Sequence, residues 1–312
     1  MIWVLVGMLM VIAALVAPRL LGWRRRLVTT HLCLRVDELP APLHGLRLAF
    51  VSDLHYGLLY VRPEELLAAV DRAEPDLLLL GGDYAAASRH LGAALELIRA
   101  LAASRPTFGI LGNTEHYFEF DRQALAEAFA GGGGALLVNQ ARQVAFDDAA
   151  LEIIGLDDPE EGRIDVAAAL AGSRGDAAVR IALVHSPAAW QEIRRLGAHL
   201  LLCGHTHGGQ IRPPGLEAPL THASYPARMA AGLFRYAADR HPPLARVAGH
   251  WWLLGRGERP TTVATAPGPL MYVSRGVGAG IVPVRILCPP ELVLIELLPA
   301  DDAAPGESRA HD

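Results

Sequence analysis

The stretch DLLLLGGD, residues 76–83, decides how this chain folds. Four consecutive leucines between an acid and a glycine pair leave no polar face. A short apolar run of this kind reads as a strand covered on both sides, which belongs in a sheet packed beneath helices. The pattern recurs in LRLAFVSD (46–53), TFGILGN (107–113), VRIALVHSP (179–187) and HLLLCGHTH (199–207), each an apolar run ending in polar residues. Helical stretches alternate with them. PEELLAAVDRAE (63–74) places proline in its first turn with acids behind it, a helix-start signal. LGAALELIRALA (91–102), DRQALAEAFA (121–130) and AWQEIRRLG (189–197) continue the alternation. GGGG (131–134) reads as a flexible turn, and ALLVNQARQVAF with ALEIIGLDD as a pair of strands. The expectation is an α/β fold with a largely buried sheet.

Past Gly208 the pattern loosens. Residues 213–268 are rich in Pro and Gly, and about 237–262 read as inserted material beside the sheet edge where the apolar runs end in polar residues. HWWLLG (250–255) is apolar for such a region: Trp251 and Trp252 either bury into the domain or form a flap that meets acyl chains. PLMYVSRGVG (269–278) and the run from PVRILC to ELVLIELL (283–298) return to strand character, and 300–312 read as a disordered tail.

The chain has 312 residues, enough for one large domain, and 52% are hydrophobic, more than a soluble enzyme needs. The excess lies at the front. MIWVLVGMLMVIAALVA (1–17) carries no charge and leads through PRLLGW to Arg24, Arg25 and Arg26. Together these meet the about 20 apolar residues a bilayer span requires. Charge after the apolar run rather than before it argues against a cleaved signal. The reading is a single transmembrane anchor over 1–23, with 24–44 as juxtamembrane linker and first strand and the domain over 45–299. The positive-inside rule then leaves the domain on the cytoplasmic face of the inner membrane. The net charge of -5 offers no general attraction to nucleic acid. All 28 basic residues are arginine, so no lysine chemistry is available. Cys33, Cys203 and Cys288 sit far apart in apolar runs and read as buried reduced thiols.

Metal-ligand residue types stand at five strand ends: Asp53 with His55, Asp83, Asn113, His185, and His205 with His207. Asp53, Asp83 and Asn113 recur every thirty residues, one strand–helix–strand unit each, which places them on one sheet edge. Taken singly, the first three read equally well as cap residues and His185 as a loop histidine. GHTHGGQ (204–210), two histidines among three glycines, has no structural reason of its own. Pairs spaced by two, in an extended loop, point the same way and converge on one ion. Seven nitrogen and oxygen donors exceed one tetrahedral zinc and suit two ions about 3.5–4 Å apart, bridged by a carboxylate. Mixed imidazole and carboxylate ligation favours Mn, Fe or Zn over Mg or Ca, and the expected pair is Mn, with Fe, Zn or a mixed pair as alternatives.

The series DLH (53–55), GGD (81–83), GN (112–113), VHSP (184–187) and GHTHGGQ resembles the calcineurin-like metallophosphoesterases, over about residues 46–298. The ending YVSRGVG…PVRILCPPELVLIEL resembles their membrane-anchored bacterial branch. The resemblance implies a four-layer αββα sandwich of two mixed β-sheets. It also implies Asp53, His55 and His207 on one metal, Asn113, His185 and His205 on the other, and Asp83 between them.

One position departs from the family. Thr114 stands where most members carry a histidine that protonates the leaving group, and a threonine hydroxyl is no acid near neutral pH. Loss of a general acid slows cleavage by about 10²–10⁴, less when the leaving group is already acidic. By resemblance, members that cleave a nucleotide-linked lipid A precursor also lack that histidine. His116 and Glu115 are the nearest replacements, with His116 the candidate proton donor, and Arg275 in SRG is a candidate contact for substrate phosphate. The expectation is a membrane-anchored hydrolase of a phosphodiester or pyrophosphate, in a lipid-linked substrate. The alternative is a catalytically weak relative that binds a phosphorylated ligand.

Overall fold

The computed structural model describes residues 26–212, 227–236, 244–248, 262–265, 268–280 and 283–300. Two mixed sheets of seven strands each face one another. The first contains β1 (Val28–Val36), β2 (Arg47–Val51), β3 (Leu77–Leu80), β4 (Thr107–Gly109), β5 (Ala135–Leu136), β12 (Thr262–Thr265) and β14 (Glu291–Pro299). Its order is β12-β1-β14-β2-β3-β4-β5. The second contains β6 (Gln140–Phe146), β7 (Ala149–Gly155), β8 (Val179–Leu183), β9 (Leu200–Cys203), β10 (Gly232–Tyr236), β11 (Leu244–Ala248) and β13 (Leu270–Val273). Its order is β11-β10-β13-β9-β8-β7-β6.

The leucine run of 77–80 shows why two sheets are needed. Successive side chains of β3 point to opposite faces. Leu77 and Leu79 enter a core shared with the opposing sheet, which contributes Ile153, Ile181, Leu183 and Leu202 among others. Leu78 and Leu80 enter a second core, against α1 (Pro63–Ala73), α2 (Leu91–Ala102) and α4 (Arg122–Phe129). A third core joins the far face of the second sheet, through Ala182, Leu201 and Val273, to α5 (Val166–Ala171) and α6 (Ile193–Leu196). The layers therefore run helix, sheet, sheet, helix.

Several elements differ from the sequence reading. The first strand expected within 24–44 is present as β1, but it pairs along its length with β14 and so belongs to the folded unit expected to begin at 45. Asn113, at the end of the TFGILGN run, is the first residue of a short helix, α3 (Asn113–Tyr117). The helix through AWQEIRRLG begins as 3-10 turns over Pro187–Glu192 before the single turn of α6. PVRILC is not a strand: only Ile286 bridges Ile211, and Leu287 turns left-handed at φ 52°. Two prolines then follow, and proline has no N–H for a ladder. No helix among the described residues is long and apolar enough to cross a membrane. The expected anchor, the HWWLLG stretch and residues 301–312 lie outside the described residues.

Candidate metal centre

The carboxyl ends of β2, β3 and β4 meet those of β8 and β9, and the expected ligands lie in the loops that follow. Backbone bonds tie these loops together, with Asp53 N–H donating to the Gly82 carbonyl and His55 N–H to that of Asp83. The spacing-by-two pairs do not converge by extended alternation. Asp53, His55, Asp83, His205 and His207 all hold φ between 41° and 68°, the left-handed region. Such positions cost non-glycine residues about 1–3 kcal/mol each and gather at functional sites.

The side chains form one cluster, buried at Asp53, His55, Asp83, His185 and His207 and half-buried at Asn113 and His205. Asp83 Oδ2 lies 3.1 Å from His55 Nε2 and 3.3 Å from His185 Nε2, between histidines of the two expected sets. His55 Nε2 and His207 Nε2 face each other at 3.2 Å, and His207 Nε2 is 3.7 Å from Asp53 Oδ1. Asn113 Oδ1 is 3.1 Å from His185 Nε2 and 2.9 Å from His205 Nδ1. The donor atoms of Asp53, His55 and His207 lie within 4.8 Å of one another, as do those of Asp53, Asp83 and His185. Asp53 thus belongs to both groups.

This arrangement fits divalent cations. His185 Nδ1 donates to the Gly81 carbonyl at 2.7 Å, which turns the other nitrogen of a neutral ring, a lone pair, toward the oxygens of Asp83 and Asn113. Asp53 Oδ2 is buried with no hydrogen-bond partner. Acceptors facing acceptors in a dry site need a cation or protons between them. With no thiolate among the donors, the set suits two hard or borderline ions.

Electrostatics say the same. Burial disfavours charge on His55 and His185, yet the Asp83 and Asp53 carboxylates outweigh it and raise both pKa values. Asp83 itself is buried, but His185 and His55 hold its carboxyl well below the usual range. His207 goes the other way, lowered well below its ordinary value by burial, then by His55 and Arg285. Without metal, protons on His55 and His185 supply the missing positive charge, and metal binding displaces them. These two groups stabilise the metal-free fold below the ordinary value of 6.5, and that gain is lost as pH rises through their raised values. Below 6.5 the reluctance of His207 to protonate costs stability. The metal-free protein is therefore expected to melt lower on going from about pH 6.5 to 8.5, while stabilisation by added Mn grows. Thermal melts with and without Mn check this, and an Mn increment that shrinks with rising pH contradicts it.

The neighbouring candidates have specific partners. Thr114 donates both its N–H and its hydroxyl to Asp83 Oδ1, each at 2.9 Å. Its hydroxyl thus orients the carboxylate between the two histidine sets. Glu115 is buried as a clasp: Oε2 accepts from Gly112 N–H at 2.7 Å and Asp83 N–H at 2.8 Å, and Oε1 from Tyr84 N–H at 2.8 Å. His116 Nε2 lies 2.7 Å from Asp157 Oδ1, and its Nδ1 lies 3.2 Å from Arg122 Nη2. Arg275 is buried and donates to Glu291 through its guanidinium at 2.8 Å and its N–H at 3.0 Å. The structure brings Arg275 to Glu291 rather than to the opening of the site.

Two groups around the cluster were not legible as site residues. Arg285 is fully buried, with its guanidinium on the carbonyls of Gly278 and Arg275 and 3.4 Å from His207 Nδ1. Glu160, in the loop after β7, places Oε1 3.4 Å from His205 Nε2. The doubled acid of GLDDPEEG was the available signal, because buried acids in a loop need donors and order the chain around them.

Residues 46–209 match the calcineurin-like phosphoesterases, and the chain belongs to that family. It is a metal-dependent phosphoester hydrolase by that membership. It is similar to phosphodiesterase YaeI of Escherichia coli (strain K12), at 28% identity over 81% of this chain and 82% of that one. It is also similar to the metallophosphoesterase YkuE of Bacillus subtilis (strain 168), at 25% identity over 86% of this chain and 85% of that one. A transmembrane protein with metallophosphoesterase domain from Danio rerio is 28% identical over 64% of this chain, which spans about half (48%) of that relative.

Proposed function

We propose that the chain is a membrane-anchored phosphodiesterase or pyrophosphatase selective for acidic leaving groups, acting on a lipid-linked substrate such as a nucleotide-linked lipid A precursor. One observation carries the selectivity: the hydroxyl of Thr114 is turned to the carboxylates of Asp83, at 2.9 Å, and Glu115, at 3.2 Å, beside the clustered metal donors. The apolar run 1–17 with arginines behind it supports anchoring at the cytoplasmic face, next to a lipid substrate. Asp53, His55 and His207 would hold one ion, and Asn113, His185 and His205 the other, with Asp83 between. Two divalent ions, with Mn as the proposed pair, would supply an activated water and a grip on phosphate oxygens when bound. The chain's own part is orientation. Thr114 fixes the Asp83 carboxylate, Gly81 fixes the His185 ring, and the buried walls exclude bulk water.

The full chain with Mn is expected to cleave bis(4-nitrophenyl) phosphate, and a dialkyl phosphodiester at least about 10²-fold more slowly. It should also sediment with membranes and release product from a lipid extract. Bound metal without turnover would instead favour a phospho-ligand binding protein. A neutral His116 donates to Asp157 and accepts from Arg122, so it can deliver a proton only after exchanging one of them. His116→Ala is accordingly expected to keep turnover of the 4-nitrophenyl diester within about tenfold, with an unchanged pH profile. A loss of about 10²–10⁴ with loss of one limb of the profile would make His116 the general acid.

A further inference from the structure

We propose that Glu160 is a positioning residue for His205, and that it makes the Asn113–His185–His205 side the tighter of the two metal positions. The proposal rests on the two-metal reading above and concerns the groups behind the ligands. A metal-binding histidine commonly donates its second N–H to a carboxylate or carbonyl, which fixes the ring and raises its basicity. His205 has its two nitrogens set out on this plan. Its Nδ1 faces Asn113 Oδ1 at 2.9 Å; the opposite nitrogen, Nε2, is buried without a hydrogen-bond partner, and Glu160 Oε1 stands 3.4 Å from it at ion-pair distance.

Glu160 is built to stay there. Ser186, itself buried, donates its hydroxyl to the same oxygen at 2.9 Å. The backbone N–H groups of Glu160 and Glu161 both donate to Asp158 Oδ1, at 2.9 and 2.8 Å. Asp157 accepts from Asp158 N–H and Arg163 N–H, closing the loop from the other end. Two buried aspartates thus fold the 157–163 loop and present Glu160 at its tip.

The two sides of the centre have opposite surroundings. Behind His185 stands the Gly81 carbonyl, and behind His205 stands a carboxylate. Behind His207 stands the guanidinium of Arg285, 3.4 Å from Nδ1. An anion behind an imidazole strengthens it as a ligand, whereas a cation weakens it. Filling is therefore ordered, with the His205 side first.

Mn titration of the metal-free full chain, followed by calorimetry and by electron paramagnetic resonance of free Mn, is expected to show two unequal steps. Glu160→Ala should weaken the tighter step by about 10–100-fold and leave the weaker one within about twofold. Glu160→Gln, which keeps an acceptor oxygen without the charge, should recover part of that loss. Ser186→Ala should give a smaller loss in the same step, and metal-free Glu160→Ala should melt as the parent does. Two equal steps in the parent, no change in Glu160→Ala, or equal weakening of both steps would overturn the proposal. A parent chain that binds no Mn would overturn the two-metal reading together with it.

Discussion

Asp83→Asn is expected to lower turnover of a phosphodiester by about 10³-fold or more, with loss of at least one bound metal ion. The direction follows from the two donors on one oxygen. Thr114 gives Asp83 Oδ1 both an N–H and an O–H at 2.9 Å, so an asparagine would leave its carbonyl there. Its NH₂ would then take the place of Oδ2, between His55 and His185. A donor at that point cannot hold a cation, and the two ligand sets lose their shared anion. Metal stabilisation of phosphoryl transfer amounts to several kcal/mol, and each 1.36 kcal/mol is tenfold in rate. In the metal-free variant His55 and His185 also lose the charge that raises their pKa values, and both should titrate lower. Steady-state kinetics, metal content and imidazole NMR titration check the three parts. A variant holding two ions with turnover within tenfold of the parent would refute the assignment.

Gly112→Ala is expected to be nearly as damaging, although the residue bears no functional group. Its φ of -103° suits any residue, so the obstacle is space alone. A Cβ there would lie 2.4 Å from Asp83 Oδ1 and 2.7 Å from the Asp83 backbone nitrogen. The backbone atom cannot swing aside, because Glu115 holds the N–H groups of both Gly112 and Asp83. The carboxylate must yield, or the two loops must part. Overpacking of this kind costs about 1–3 kcal/mol, and each kcal/mol lowers the melting temperature of a domain this large by about 2–4 °C. Gly92→Ala is the control: nothing lies within 4 Å of its Cβ, and α2 should gain slightly. Calorimetry and metal content decide, and a Gly112→Ala protein with parental melting and metal content would contradict the steric argument.

The local grammar of the first sheet was open in the sequence. DLLLLGGD divides its leucines between two cores, and LGAALELIRALA is the helix 91–102 residue for residue. The strand ends carried the ligands because a buried parallel strand releases its polar residues only at its carboxyl end. Less legible was whatever depends on distant partners. The insertion of β14 between β1 and β2 joins the two ends of the folded unit, and no local pattern encodes that. PVRILC resembles a strand until Arg285 turns inward to cap carbonyls. Glu160 looks like one more surface acid, since its role depends on where Ser186 and His205 arrive. Left-handed backbone at histidine and aspartate is likewise invisible, because neither residue announces it as glycine does.

That backbone also bears on what happens when selection relaxes. Asp53, His55, Asp83, His205 and His207 each hold a conformation that glycine adopts without strain. If the site ceased to matter, replacement at these five positions would relieve strain, and drift toward an inert protein would run downhill in stability. A decayed relative would be the sturdier molecule. Five donors thus stand where the backbone would accept glycine at less cost.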